Sequence, residues 1–194
     1  MNEHLKPVFE IILSALERAK IEYSVFGGIA VAGMRGYFYR PNKDVDVCVI
    51  EKDYLTARKI LSDLALRENW RFAEDHDLAP GRPKYELFFR GQRDDFLSVI
   101  PVFKTPEGVV FKFYKNEQIY EDDIWNRQKQ TIGNFTFYRF KDNYVKQLCL
   151  VHVRHLGRKV FEPKYRKYLD DLEGIISKEE FDKIIVELNK DKNK

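Results

Sequence analysis

The sequence predicts an α+β fold, a mixed β-sheet flanked by helices with a small helical part at the C-terminal end. The apolar period changes along the chain, from helical spacing at Phe9, Ile12, Leu13 and Leu16 to the strand-like run Val45, Val47, Val49. Strand-like and helix-like segments interleave through the first part of the chain, and from Asp142 onward the pattern is helical throughout. The 194 residues are 44% hydrophobic, with 15 Phe and 11 Tyr, which suffices for one buried core plus a small appendage. These patterns divide the chain into a core at 1–140 and a helical subdomain at 141–194.

Taken in order, residues 5–20 form a first amphipathic helix, and Glu22 to Phe26 a short strand ended by Gly27 and Gly28. Small and apolar residues at 29–36 suit a helix packed close to a sheet. Residues 44–50, DVDVCVI, read as a strand, and 53–66 as an amphipathic helix with Asp53 as its N-cap. A strand at 69–75 precedes a loop punctuated by proline and glycine at 76–83. Residues 84–91 and 94–103 read as paired strands joined by a short polar turn, and a β-rich connector follows, with strands at 108–114 and 134–140. Helices are expected at 143–158, 164–175 and 177–190, the last opened by a capping box of Ser177 and Glu180.

Composition weighs the classes without excluding a nucleic-acid binder, since a local basic patch would be hidden in the sum. Net charge is +3 from 34 basic and 31 acidic residues, too balanced to argue for a nucleic-acid binder by bulk charge. No apolar run approaches the roughly 20 residues of a membrane span, and the charged start does not read as a signal peptide. A cytoplasmic protein without a membrane partner is the expectation. Cys48 and Cys149 are far apart in apolar settings and read as reduced thiols. His152 and His155 lie three apart on one helix, but no third ligand stands at zinc spacing.

The chemistry concentrates at residues 26–50. Asp44 and Asp46 occupy positions i and i+2 of a strand and share a face, roughly 6–7 Å apart at the backbone. Two like charges side by side repel unless something neutralises them, and a divalent cation with hard oxygen ligands does so directly. The plainer reading is a solvated strand end paired with Lys43 and Arg40. An EF-hand loop does not fit, because its glycine position falls on Val49 and its terminal glutamate on Leu55. Gly27 and Gly28 stand between a strand and a helix, where backbone N–H groups can approach a phosphate; a tight turn is the plainer reading. Neither the dinucleotide fingerprint nor the P-loop fits the residues that follow.

In combination, Gly27-Gly28, a short helix, Arg40-Pro41-Asn42-Lys43 and Asp44-Val45-Asp46 resemble the signature of the polymerase-β-like nucleotidyltransferase superfamily. Within it the pattern is similar to the lincosamide and aminoglycoside nucleotidyltransferases and to abortive-infection-type toxin nucleotidyltransferases. Asn42 stands where those families carry threonine. The resemblance implies a nucleotidyltransferase-type mixed sheet and transfer of an NMP from an NTP to an acceptor hydroxyl, with release of pyrophosphate. It implies Mg²⁺, two ions, held by Asp44, Asp46 and a third carboxylate on a neighbouring strand. Asp95 fits that third position, with Asp94 as competitor. It also implies nucleotide contacts from Gly27, Gly28, Arg40 and Lys146, and an acidic helix like that carrying Asp170 and Asp171. The acceptor, whether a small molecule such as an antibiotic, an RNA 3′ end or a protein, stays open, as does a partner protein. Two alternatives stand beside the enzyme: a non-catalytic nucleotide-binding or toxin–antitoxin interaction module on the same fold, and an α/β domain whose glycines and acids are structural.

Overall fold

The computed structural model describes residues 2–76, 83–89, 96–113 and 116–190. It separates into two compact units, Met1–Lys141 and Asp142–Lys194.

The first unit opens with a 3₁₀ turn (Glu3–Leu5), a π-helical stretch (Val8–Leu13) and α1 (Ser14–Arg18), followed by β1 (Tyr23–Phe26), α2 (Gly27–Arg35) and β2 (Asp44–Ile50). After these come α3 (Glu51–Glu68), β3 (Arg71–Asp75), β4 (Lys84–Phe88) and β5 (Phe96–Thr105). The remaining strands are β6 (Gly108–Phe113), β7 (Asn116–Tyr120), β8 (Gln128–Ile132) and β9 (Phe135–Arg139), with a 3₁₀ turn at Asp122–Trp125. The strands make one nine-stranded mixed sheet in the order β3-β4-β5-β2-β1-β9-β8, with β6 on the far half of β5 and β7 on β6. The mixed sheet flanked by helices is the architecture expected. β2 runs parallel to β5 and antiparallel to β1, so the strand bearing Asp44 and Asp46 is interior, paired on both edges.

Alternation along these strands sorts their side chains onto two faces. One face presents Val45, Val47, Val49, Leu97, Val99, Tyr85 and Leu87 to a continuous core. Tyr54, Ala57, Leu61 and Leu64 of α3 close that core, together with Leu5, Val8, Phe9 and Ile12 of the N-terminal helical segment. Tyr54 stacks on Tyr85 at 4.3 Å, and its hydroxyl lies 2.5 Å from the Pro83 carbonyl and 2.9 Å from that of Val99. The opposite face carries Asp44 and Asp46 at one end and buried Cys48 and Ile50 at the other.

Two helix starts differ from expectation. α2 begins at Gly27 rather than Ile29, with extended Phe26 at its N-cap position. α3 begins at Glu51 directly after β2, so Asp53 is not the N-cap but lies in the first turn, where its charge suits the positive end of the helix.

The second unit holds α4 (Asp142–Leu156), a 3₁₀ turn (Gly157–Phe161), α5 (Arg166–Glu173) and α6 (Lys178–Lys190). Val153, Val160, Leu169, Leu172, Phe181, Ile184 and Leu188 form its core. Ser177 Oγ accepts the Glu180 N–H at 3.2 Å, the backbone half of the expected capping box. Among the described residues, no helix is long and apolar enough to cross a membrane.

Candidate active site

The site is built where β1 ends, α2 begins and β2 enters the sheet. Phe26, the last residue of β1, is the register partner of Asp46. Gly27 then takes φ +66°, a left-handed conformation that only glycine adopts cheaply, and this turns the chain directly into α2. A Cβ on Gly27 would lie 2.9 Å from Asp46 Oδ2, so the absent side chain is what lets the backbone lie against that carboxylate. A Cβ on Gly28 would run into the Arg40 guanidinium and lie 2.5 Å from Asn42 Oδ1. Gly27, Gly28, Arg40, Asn42 and Asp46 are thus one packed group at the start of a nine-residue helix whose N-terminus has no side-chain cap. First-turn N–H groups and the helix dipole make such a terminus favourable to anions.

Arg40 is held by its surroundings. Its guanidinium lies 5.7 Å from the Tyr39 ring centroid, and Nη1 donates to the Pro41 carbonyl at 3.1 Å. Arg35, from the end of α2, covers the same Tyr39 ring at 3.8 Å, which places two guanidinium groups on one aromatic ring. Asn42, 3% exposed, donates from Nδ2 to the Arg40 carbonyl at 3.2 Å. Its backbone N–H donates to Asn2 Oδ1 at 2.7 Å, and its carbonyl accepts from His4 Nε2 at 2.7 Å. Sequence reasoning missed Asn2 and His4. No local signal marks them, because their partners lie 38 to 40 residues away.

Strand register extends the picture. Asp44 pairs with Phe96 and Asp46 with Ser98 on β5, and Ser98 pairs with Glu86 on β4. Among the described residues, β5 therefore presents a serine rather than an acid beside Asp46. Asp94 and Asp95 lie outside the described residues. Glu86 Oε1 is 2.6 Å from Lys84 Nζ, which also reaches Asp75 Oδ2 at 3.3 Å. Burial alone would lower the Lys84 pKa, but the hydrogen bonds and charges of Glu86 and Asp75 outweigh it and hold the pKa above its ordinary value. Cys48 sits one step further along the Asp46 face of β2. Burial, with the Asp46 charge adding, pushes its thiol well above the usual range, so it stays protonated and unsuited to nucleophilic work.

The donor set can be judged against a hard divalent cation. Asp44 and Asp46 carry carboxylate oxygens on one strand face, and the Gly27 backbone lies against the Asp46 carboxylate. Among the described residues, no group of three His, Cys, Asp or Glu side chains could hold a metal ion. Two carboxylates are nonetheless what Mg²⁺ takes when substrate phosphates and water complete its shell, so the residues fit.

The other expected residues belong to the second unit. Lys146 is exposed on α4. Asp170 pairs with Arg166 at 3.1 Å, whereas Asp171 is buried. The His152 ring packs on Tyr168 at 4.3 Å.

No family model matches the chain, and no curated protein matches it. Solved structures do, and they define the fold as that of nucleotidyltransferases, in line with the resemblance drawn from Gly27-Gly28 and Asp44-Val45-Asp46. The antibiotic-resistance factor ANT(2'')-Ia superposes with a TM-score of 0.63 at 12% identity, over 98% of this chain and 94% of that one. The same protein in complex with adenylyl-2''-tobramycin gives 0.60 at 12% identity, over 93% and 94%. The lincomycin-bound lincosamide antibiotic adenylyltransferase LnuA gives 0.58 at 14% identity, over 85% and 94%.

Proposed function

We propose that the protein is an Mg²⁺-dependent nucleotidyltransferase that moves an NMP from an NTP to an acceptor hydroxyl and releases pyrophosphate. The observation that carries this reading is the Gly27 backbone lying against Asp46 at the uncapped start of α2. An anion-favouring helix terminus and a cation-favouring carboxylate stand within one van der Waals contact, the pairing that a metal-bound triphosphate requires.

Asp44 and Asp46, with Asp95, would hold Mg²⁺; bound there, it would offset the charge of the triphosphate oxygens and make the α-phosphorus more electrophilic. The backbone of Gly27 and Gly28 binds the phosphates through N–H groups. Arg40 supplies positive charge beside Gly28. Asp95 would either help hold a second ion or receive the acceptor proton as the acceptor oxygen bonds to the α-phosphorus and the bond to the pyrophosphate oxygen breaks. Catalysis on this reading is positioning and charge compensation, with no covalent enzyme intermediate.

Coverage of 94% of both ANT(2'')-Ia and LnuA supports a small-molecule hydroxyl as the first acceptor class to test. Labelled ATP, GTP, CTP and UTP are offered with Mg²⁺ to tobramycin, lincomycin, total tRNA and a protein extract, and the labelled product identifies both substrates. Asp46→Asn is expected to abolish transfer while leaving the melting temperature within a few degrees of wild type. Full transfer by Asp46→Asn overturns the reading.

A further inference from the structure

We propose that Asn2 and His4 are positioning residues for nucleotide binding: together they clamp the Arg40–Asn42 turn onto Gly28 and so set where the Arg40 guanidinium lies. The inference rests on the nucleotidyltransferase reading above and adds to it two residues that no motif supplies.

Between the end of α2 at Arg35 and the start of β2 at Asp44 the chain has no regular hydrogen-bonded structure. Backbone groups in such a segment need partners from elsewhere. The Asn42 N–H and carbonyl find theirs at the start of the chain, and the Arg40 carbonyl accepts from Asn2 Nδ2 as well as from Asn42 Nδ2. Asn2 is two-sided: its Oδ1 accepts the Asn42 N–H at 2.7 Å, and its Nδ2 donates to the Arg40 carbonyl at 3.3 Å. One side-chain amide thereby grips two backbone groups of the same turn, as a neighbouring strand would. His4 Nε2 donates to the Asn42 carbonyl at 2.7 Å, a direction fixed by the carbonyl, which can only accept.

The clamp is an interior feature, since Asn2 is 4% exposed and Asn42 3%. Asn2 takes φ +67°, a conformation asparagine tolerates better than other side chains. What the clamp presses on is the site itself, because Arg40 and Asn42 Oδ1 occupy the space a side chain on Gly28 would fill. Gly28 adjoins Gly27, which lies against Asp46. Residues 2 and 4 thus act on the phosphate-facing helix start through one intervening layer, and they touch no reacting group.

The test is a mutant cycle on the full chain, read as the dissociation constant for an Mg²⁺–nucleoside triphosphate by calorimetry. The probe is whichever of ATP, GTP, CTP and UTP binds wild type most tightly. Asn2→Ala and His4→Ala are each expected to weaken binding about tenfold, the scale of losing one well-placed hydrogen bond. Asn2→Ala combined with Arg40→Ala is expected to lose less affinity than the two single losses added together, because the clamp acts in large part through Arg40. Asn2→Asp, which keeps the acceptor for the Asn42 N–H, and His4→Gln, which keeps a donor, are expected to recover most of the affinity. These two variants also serve should the alanine forms fail to fold. Unchanged affinity with a lowered melting temperature, or losses that add to that of Arg40→Ala, overturns the clamp. Wild-type affinity in Arg40→Ala overturns it as well while leaving the metal site standing, whereas failure of wild type to bind any of the four triphosphates removes both readings.

Discussion

Gly27 offers the sharpest test of how the backbone serves the site. Gly27→Ala does two things that can be separated. It places a side chain at φ +66°, which costs about 1 kcal/mol or slightly more for a non-glycine residue. It also puts a methyl group 2.9 Å from Asp46 Oδ2, closer than carbon and oxygen tolerate, so one of them moves. The backbone of Gly27 is fixed between β1 and α2, and the carboxylate is the softer partner. Gly36→Ala is the control. It too has a left-handed φ, +78°, at the end of α2, but the added methyl group would meet nothing within 4 Å. Both variants are expected to lose about 1–2 kcal/mol, a few degrees in melting temperature for a chain of this size. Only Gly27→Ala displaces Asp46. A carboxylate shifted by a fraction of an ångström in a positioning-driven reaction costs about 10- to 100-fold in turnover. Thermal denaturation and pyrophosphate release, measured on both variants, decide the matter. Equal turnover in Gly27→Ala and Gly36→Ala would refute the reasoning, because strain alone would then account for the glycine.

Other outcomes follow from the same structure. Tyr54→Phe removes the one hydroxyl proton available to the Pro83 and Val99 carbonyls, and leaving a buried acceptor unmet is expected to cost about 1–3 kcal/mol in denaturant titrations. Lys84→Met leaves Glu86, only 16% exposed, without its cation, and a loss of about 1–3 kcal/mol by the same measurement is expected. Burial raises the pKa of Tyr23, Tyr54 and Tyr120, the last pushed up to about 12. The folded state therefore holds these protons more tightly than the unfolded chain does. Their contribution is whole below the unfolded value near 10 and is lost as pH rises from there toward 12 and beyond, so the melting temperature is expected to fall over that alkaline range.

Much of the fold was legible because burial imposes a period on the sequence. β2 carries a valine at every second position, facing the α3 core, and that pattern admits one assignment. β7 and β8 carried no such signal. β7 has β6 as its sole described strand partner and β8 has β9, and NEQIY and QKQTI are polar segments with little to bury. The start of α2 was misjudged for the opposite reason. Glycine is a poor helix former, so propensity placed the helix after Gly27 and Gly28; the close approach of Asp46, Arg40 and Asn42 requires glycine there and overrides propensity.

The site divides along the same line between local and distant information. Asp44 and Asp46 share a face whatever the rest of the chain does, because two residues apart on one strand is a property of the backbone. Which residue stands beside Asp46 on the next strand depends on register, and register is set by the packing of whole strands against a core. Here it brings Ser98 to Asp46 and Glu86 to Ser98, a row assembled from three strands that no single segment announces. The same holds for Asn2 and His4, whose hydrogen bonds run to backbone groups of the Arg40–Asn42 turn and so depend on no residue type there that a motif could record. Motifs capture the positions where backbone geometry restricts the residue, such as Gly27, and the positions where chemistry does, such as Asp46. The residues that hold those positions in place become visible only when the chain is folded.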